Sequence, residues 1–241
     1  VNTSNEYSDA VIVKGSTVAE NIEEEIDGEV KGETAVNPNY TYGSYSNLAN
    51  VDSAIVEMVS YDEGFEIYNH DINVNLSDVT NRLYLIITNK AKRVLSTKDK
   101  QSIAFFIHDG TPTTVILGAG ERAGVISSYQ SAFDRLPSNT EEWKDIVKIA
   151  NGRWPEERSL VKEEMAQKTF FYNVFRRDAD MNNPHDNAAV TVITYGLRPA
   201  DRNLDSEKVA IKTFKAIFGH NPNSAVDWDI TRAIAYSGAT R

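Results

Sequence analysis

The 241 residues contain no cysteine. Disulfide staples, thiolate metal sites and cysteine nucleophiles are therefore excluded. There is also no long apolar run. Leu83 to Ile87, as long as any, is far short of the ~20 residues that a membrane-spanning helix needs, and it sits in an amphipathic pattern. Positive charge is in deficit, since the formal net charge is −10. Nucleic acid and anionic lipid are disfavoured as partners, because both call for a basic patch. The four histidines, His70, His108, His185 and His220, are scattered. They form no HxH or HExxH pair of the kind that holds zinc. A Gly-x-Ser-x-Gly nucleophile elbow is missing as well.

What remains is ample for a core, because 41% of the residues are hydrophobic. The chain starts at Val1, and Val1 to Asp9 is polar, as expected for the exposed start of a processed, exported protein. Residues 1–50 read as a small mixed region with an extended arm. Val11-Ile12-Val13 suggests a strand, Val18, Ile22 and Ile26 a helical stripe, and the Tyr/Asn/Ser/Gly tract from Asn37 to Asn47 an arm. Residues 51–110 read as a helical connecting region. Leu48, Val51, Ile55, Met58 and Val59 recur at helical spacing, and Phe65 to Ile72 is a mixed connection. Ser77 is placed to cap a helix that turns Leu83, Ile86, Ile87, Ala91 and Val94 inward. Ser96 with Asp99 forms a capping-box pattern for a helix that ends near His108-Asp109-Gly110.

The clearest signal lies in residues 111–241. Tyr129, Phe133, Pro137, Glu142, Trp143, Ile149 and Ala150 match Phe214, Phe218, Pro222, Asp227, Trp228, Ile234 and Ala235. The spacing is identical and each pair is chemically alike, which marks a duplication. A weaker copy lies between, with Phe171 and Phe175 as the aromatic pair, Ile193 to Gly196 echoing Ile149 to Gly152, and Asn187 in place of Trp. The two matching units read as two helices broken at Pro, with the aromatic pair and the Trp turned toward each other, and in the weaker copy the Asp178 to Asn187 loop replaces the Pro turn. One unit cannot hide that face alone, so the expected fold is mainly α, a short solenoid of three stacked helix-pair repeats. The final segment bears Val226, Trp228, Ile230, Ala233, Ile234, Ala235 and Tyr236. It is apolar on more than one face, which predicts an exposed surface for another chain.

Three candidate sites stand in the sequence. Asp178, Asp180, Asn182 and Asp186 put oxygen ligands at the spacing of a calcium loop, without its Gly at position 6 or Glu at position 12. The competing reading is an interhelical turn whose Asp and Asn side chains cap helices. Asp201, Asn203, Asp205 and Glu207 carry the same ambiguity. Gly118-Ala119-Gly120 with Gly124, after an apolar stretch, resembles a dinucleotide fingerprint but lacks the strand–helix–strand context. Glu121 has no second carboxylate to make a glycosidase pair.

The segments Leu117 to Gly124, Ile149 to Pro155, Tyr195 to Asn203 and Ala233 to Gly238 resemble those of uncharacterised bacterial helical-repeat proteins, exported or surface-associated in reduced-genome lineages. The likeness covers about residues 100–241 and implies an extracellular setting. It implies no activity. The sequence thus points to a non-catalytic, secreted or cell-surface protein that assembles with itself into an S-layer-like sheet or a filament, with calcium as its candidate ion. The alternative is a monomeric adhesion module for a peptide or glycan, with Trp154 and Tyr195 in its groove.

Overall fold

The computed structural model describes residues 64–69 and 74–241. The expected strand, arm and Leu48-to-Val59 stripe lie outside them. The described residues are mainly α, with no strand among them. A helical turn over 64–69 buries Ile67 completely. It is followed by α1 (Asp78–Asn89), α2 (Thr97–His108), α3 (Ala119–Phe133) and α4 (Thr140–Ala150). Leu160–Met165, the π-helical Ala166–Phe171 and Tyr172–Phe175 run on without a break and together make α5. The last three helices are α6 (Pro184–Tyr195), α7 (Leu204–Phe218) and α8 (Ala225–Tyr236).

Local chemistry sets most helix starts. Ser77 accepts a hydrogen bond from Thr80 N and opens α1. Ser96 and Asp99 form the reciprocal capping box at α2. On α1, Leu83 and Ile87 are buried as expected, but Val94 is 94% exposed. The helix has ended at Asn89, so the helical period no longer places Val94.

The duplication recurs in three dimensions. From Ala119 to Leu204 and from Thr140 to Ala225, matching helix starts are 85 residues apart, and α3 and α7 are each 15 residues long. Both end in a left-handed residue, Asp134 in one and Gly219 in the other. Asp is among the few residues that tolerate this conformation in place of Gly. The acid before each Trp does more than oppose the helix dipole. Glu142 accepts from Ser138 N at 2.6 Å and Asp227 from Asn223 N at 3.1 Å, while Asn139 and Ser224 cap the same helices. All three aromatic pairs are in ring contact. Tyr129–Phe133, Phe171–Phe175 and Phe214–Phe218 have centroids 4.6, 4.5 and 4.5 Å apart. On α5, Ala166 and Phe171 are both buried although five residues apart. The π-helical turn brings that spacing onto one face, which a regular α-helix would not.

Packing centres on α3, which is buried from Gly120 to Tyr129 and touches α1, α2, α4, α6 and α8. Its small residues Gly120, Ala123, Gly124, Ser127 and Ser128 let several neighbours approach at once. Because α8 packs on α3 as well as on α6 and α7, the first and third helix pairs touch directly. This corrects the expectation for the final helix. Ile230, Ala233, Ile234, Ala235 and Tyr236 are at most 2% exposed, because three helices surround α8. An all-round apolar helix is an interior one here. Trp143 is fully buried against Phe106, at 5.6 Å between ring centroids, whereas Trp228 is only half-buried. No described helix is long and apolar enough to cross a membrane.

We expect Trp143→Ala to lower unfolding stability by about 3–5 kcal/mol and Trp228→Ala to cost clearly less. Urea denaturation of the two variants checks this, and equal losses would contradict the packing described.

Candidate functional site

The densest chemistry lies where α3, the segment after α6 and α8 meet. Glu121 stands in the first turn of α3, Asp229 and Arg232 lie one turn apart on α8, and Arg198 follows the left-handed Gly196 that closes α6. All four side chains are at most 10% exposed. Glu121 Oε2 lies 2.9 Å from Arg198 Nε and 3.2 Å from Arg232 Nη2. Asp229 Oδ1 lies 2.9 Å from Arg232 Nη1 and accepts from Ser128 Oγ at 3.0 Å, with Arg198 Nη1 at 3.9 Å. Gly196 is required by space as well as by its φ of +66°, since a Cβ there would meet Ser128 Oγ at 2.4 Å and Asp229 Oδ1 at 2.5 Å.

The two carboxylates differ in how well this setting suits them. Burial pushes Glu121 up, but the guanidiniums of Arg232 and Arg198 outweigh it and hold the group at about 2. Burial also pushes Asp229 up, and there it prevails, to about 6. The difference has a geometric cause. Glu121 takes two close guanidiniums on one oxygen, whereas Asp229 takes one, and its Oδ2 has no hydrogen-bond partner among the described residues. Two acids and two arginines make a neutral, enclosed quartet. Its chemistry is to tie three segments together.

A second polar device occurs twice. Tyr195 Oη accepts from Ser159 N at 2.8 Å and donates to Glu163, which Arg158 grips at 2.5 and 2.9 Å. Tyr236 Oη accepts from Asn203 N at 3.0 Å and donates to Glu207 at 2.5 Å, which Arg202 grips at 2.9 and 2.5 Å. Each clasp ties the end of a pair's second helix to the start of its first. Burial and the Glu163 carboxylate push the Tyr195 hydroxyl up to about 12. Sequence reasoning missed these clasps, although Arg158-Ser159-Leu160-x2-Glu163 and Arg202-Asn203-Leu204-x2-Glu207 carried the signal. In the first pair, Arg122 stands where Glu207 does in the third. Its guanidinium donates to the carbonyls of Ile107, His108 and Leu117 instead.

The candidate calcium residues fall into different roles. Asp186 is fully buried, gripped by both terminal nitrogens of Arg177 and bonded to Asp180 N at 3.0 Å. Asp178, Asp180 and Asn182 are exposed, and Asp180 accepts from Asn182 N. No group of three His, Asp or Glu side chains placed to hold a metal ion occurs among the described residues. Of the second oxygen-rich stretch, Asn203 caps α7 and Glu207 belongs to the clasp. The glycine-rich stretch is a turn that leads into α3, with Gly118 at its N-cap. His108 lies beside Asp109 at 2.9 Å, His185 beside Ser237 O at 3.1 Å and His220 beside the Phe214 ring. His70 is outside the described residues. Trp154 is 40% exposed beneath Arg158, but Tyr195 is fully buried, so the two do not share an open groove. Its hydroxyl is drawn inward by Glu163 and the Ser159 amide.

Two surface features remain. A groove of about 540 Å³ is lined by Val74, Leu76, Tyr84, Lys100, Gln101 and Ala104 among others. The outward side of α5 exposes Leu160 and Val161 at 72%, Met165 at 44% and Tyr172 at 47%. With the geometry in view, comparison with known proteins adds nothing to it, since no protein family, curated protein or solved structure matches this chain.

Glu121 loses its proton near 2 in the folded chain and near 4.5 once unfolded. Its stabilisation is therefore complete above pH 4.5 and vanishes as pH falls through 2. Asp229 acts in the opposite sense, because its raised value favours folding below 3.8 and costs stability as pH climbs through 6. We expect Glu121→Gln to cost about 3–5 kcal/mol at pH 7, since it breaks a buried ion cluster, and to flatten the acid limb between pH 4.5 and 2. Urea midpoints across pH measure both effects. An unchanged acid limb would refute the assignment.

Proposed function

We propose that this chain is a non-catalytic structural subunit that assembles with copies of itself, as a secreted protein in a cell-surface layer or filament. The observation that carries the reading is the outward side of α5. Four large apolar side chains, Leu160, Val161, Met165 and Tyr172, project from one helix into solvent. A monomer gains nothing by exposing adjacent Leu and Val at 72% on a helix whose later residues Ala166, Phe171, Val174 and Phe175 are buried in the body, and clustered exposed apolar side chains mark association. The burial of α8 removes the surface first expected for this role and leaves α5 as the candidate. The buried carboxylates support a structural rather than a catalytic reading. Glu121 is committed to two guanidiniums, Asp186 to one, and Glu142 to Arg135 and the Ser138 amide. The finer architecture we propose is three helix pairs wound about α3, the first touching the third as well as the second.

Light scattering over a concentration series tests the main reading. Mass rising above that of one chain is expected, and a monodisperse monomer throughout would overturn it.

The groove favours a second reading, a monomeric adhesion module. Its size suits one side chain or sugar ring with neighbours, and Tyr84 with Lys100 and Gln101 offers a stacking face beside polar donors. On this reading, an acetylated tyrosyl dipeptide or N-acetylglucosamine at millimolar concentration raises the melting temperature of the wild type and not of Tyr84→Ala. No shift with either probe would count against it.

A further inference from the structure

We infer that α5 pairs with α5 of a second copy, antiparallel, about a two-fold axis that passes near Ala166. This rests on the self-assembly reading and says which surface carries it and in what register.

The argument comes from the order of side chains along the helix. In an isologous contact the same patch serves both partners, so residue i meets j while j meets i. An antiparallel pair centred on residue 166 sets Leu160 opposite Tyr172 and Glu164 opposite Lys168. Met165 lies beside the axis. All five of these side chains are outward, and Glu164 and Lys168 are 62% and 69% exposed. The stripe of Leu160, Glu164, Lys168 and Tyr172 is therefore self-complementary in both apolar character and charge, while Val161 would fall opposite the buried Phe171 and lies outside it. Within one copy Glu164 and Lys168 face each other one turn apart. Across the axis each meets an opposite charge from the partner, so two such pairs would flank the apolar centre. A parallel pairing would instead place like charges side by side.

The rest of the helix fits this use. The inner side is committed to the body of the protein through Ala166, Phe171, Val174 and Phe175, all at most 3% exposed. The helix is about 24 Å long at 1.5 Å per residue, while a standard interface takes roughly 800 Å² from each partner. The contact must therefore extend past the helix.

The test uses charge reversal in the full chain. Glu164→Lys and Lys168→Glu each put like charges across the axis, and each is expected to weaken association about tenfold. Mixed in equal amounts, the two variants present two lysines to two glutamates, and association returns toward the wild-type level. The pair within one helix cannot produce that recovery, because each variant chain keeps its own like charges. Met165→Cys gives a second readout, since the chain has no other thiol. Under mild oxidation it is expected to form a covalent dimer, whereas Leu85→Cys, similarly exposed on α1, is not. Circular dichroism confirms that each variant is folded. If the wild type is monomeric, both this pairing and the self-assembly reading fall. If the wild type associates but the mixture does not recover and Met165→Cys does not cross-link, assembly stands and this surface is wrong.

Discussion

Two carboxylates and two guanidiniums, sealed inside the helical body, hold the described structure to one arrangement. Each ion alone would be costly to remove from water. Together Glu121, Asp229, Arg198 and Arg232 cancel, but only when α3, the segment after Gly196 and α8 are in register to within hydrogen-bond reach. A shift of one helical turn in any of the three would strand a buried charge. Hydrophobic contacts are less demanding, because Leu, Ile and Phe tolerate sliding and repacking. The apolar core thus favours compactness, and the quartet selects which compact arrangement is kept.

The quartet in turn requires the unusual composition of α3. A helix touched by five others cannot carry large side chains all round. Glycine, alanine and serine at its contact positions admit α6 and α8 close enough for Glu121 and Ser128 to reach their partners. The same requirement falls on Gly196, whose missing side chain leaves room for Ser128 and Asp229. The Arg–Glu–Tyr clasps then fasten the second and third helix pairs at their edges. In the first pair, Arg122 binds main-chain carbonyls at the end of α2 and just before α3, so the same position in the repeat joins the pair to the helix that precedes it.

Much of this was legible beforehand where the cause is local. Ser77 and the Ser96–Asp99 box mark helix starts because a cap is a contact within three residues. The Tyr129-to-Ala150 and Phe214-to-Ala235 patterns mark matching helix pairs because side chains four apart share a face. What could not be read depends on distant neighbours. Val94 kept the helical period on paper, but the helix had already ended. The α8 pattern is the same whether its apolar faces meet other helices or solvent, and only the placement of α3, α6 and α7 decides between them. The π-helical turn in α5 follows from having to bury Ala166 and Phe171 together. The candidate calcium loop showed the right oxygens, but Arg177 lies across Asp186 from outside its spacing pattern.

By itself the sequence determined that the described residues are mainly helical, where α1 and α2 begin, and that one helix pair recurs 85 residues on, because capping, proline and i,i+4 contacts act over a turn or two. It also determined that no thiol chemistry is available. Only the tertiary structure decided that α3 is central, that Glu121 meets Arg198 and Arg232 across 77 and 111 residues of chain, and that Leu160 and Val161 of α5 are exposed while Ile230, Ile234 and Tyr236 of α8 are buried. Charge pairing and burial depend on distance in space, and the order of residues leaves that distance open until the helices pack.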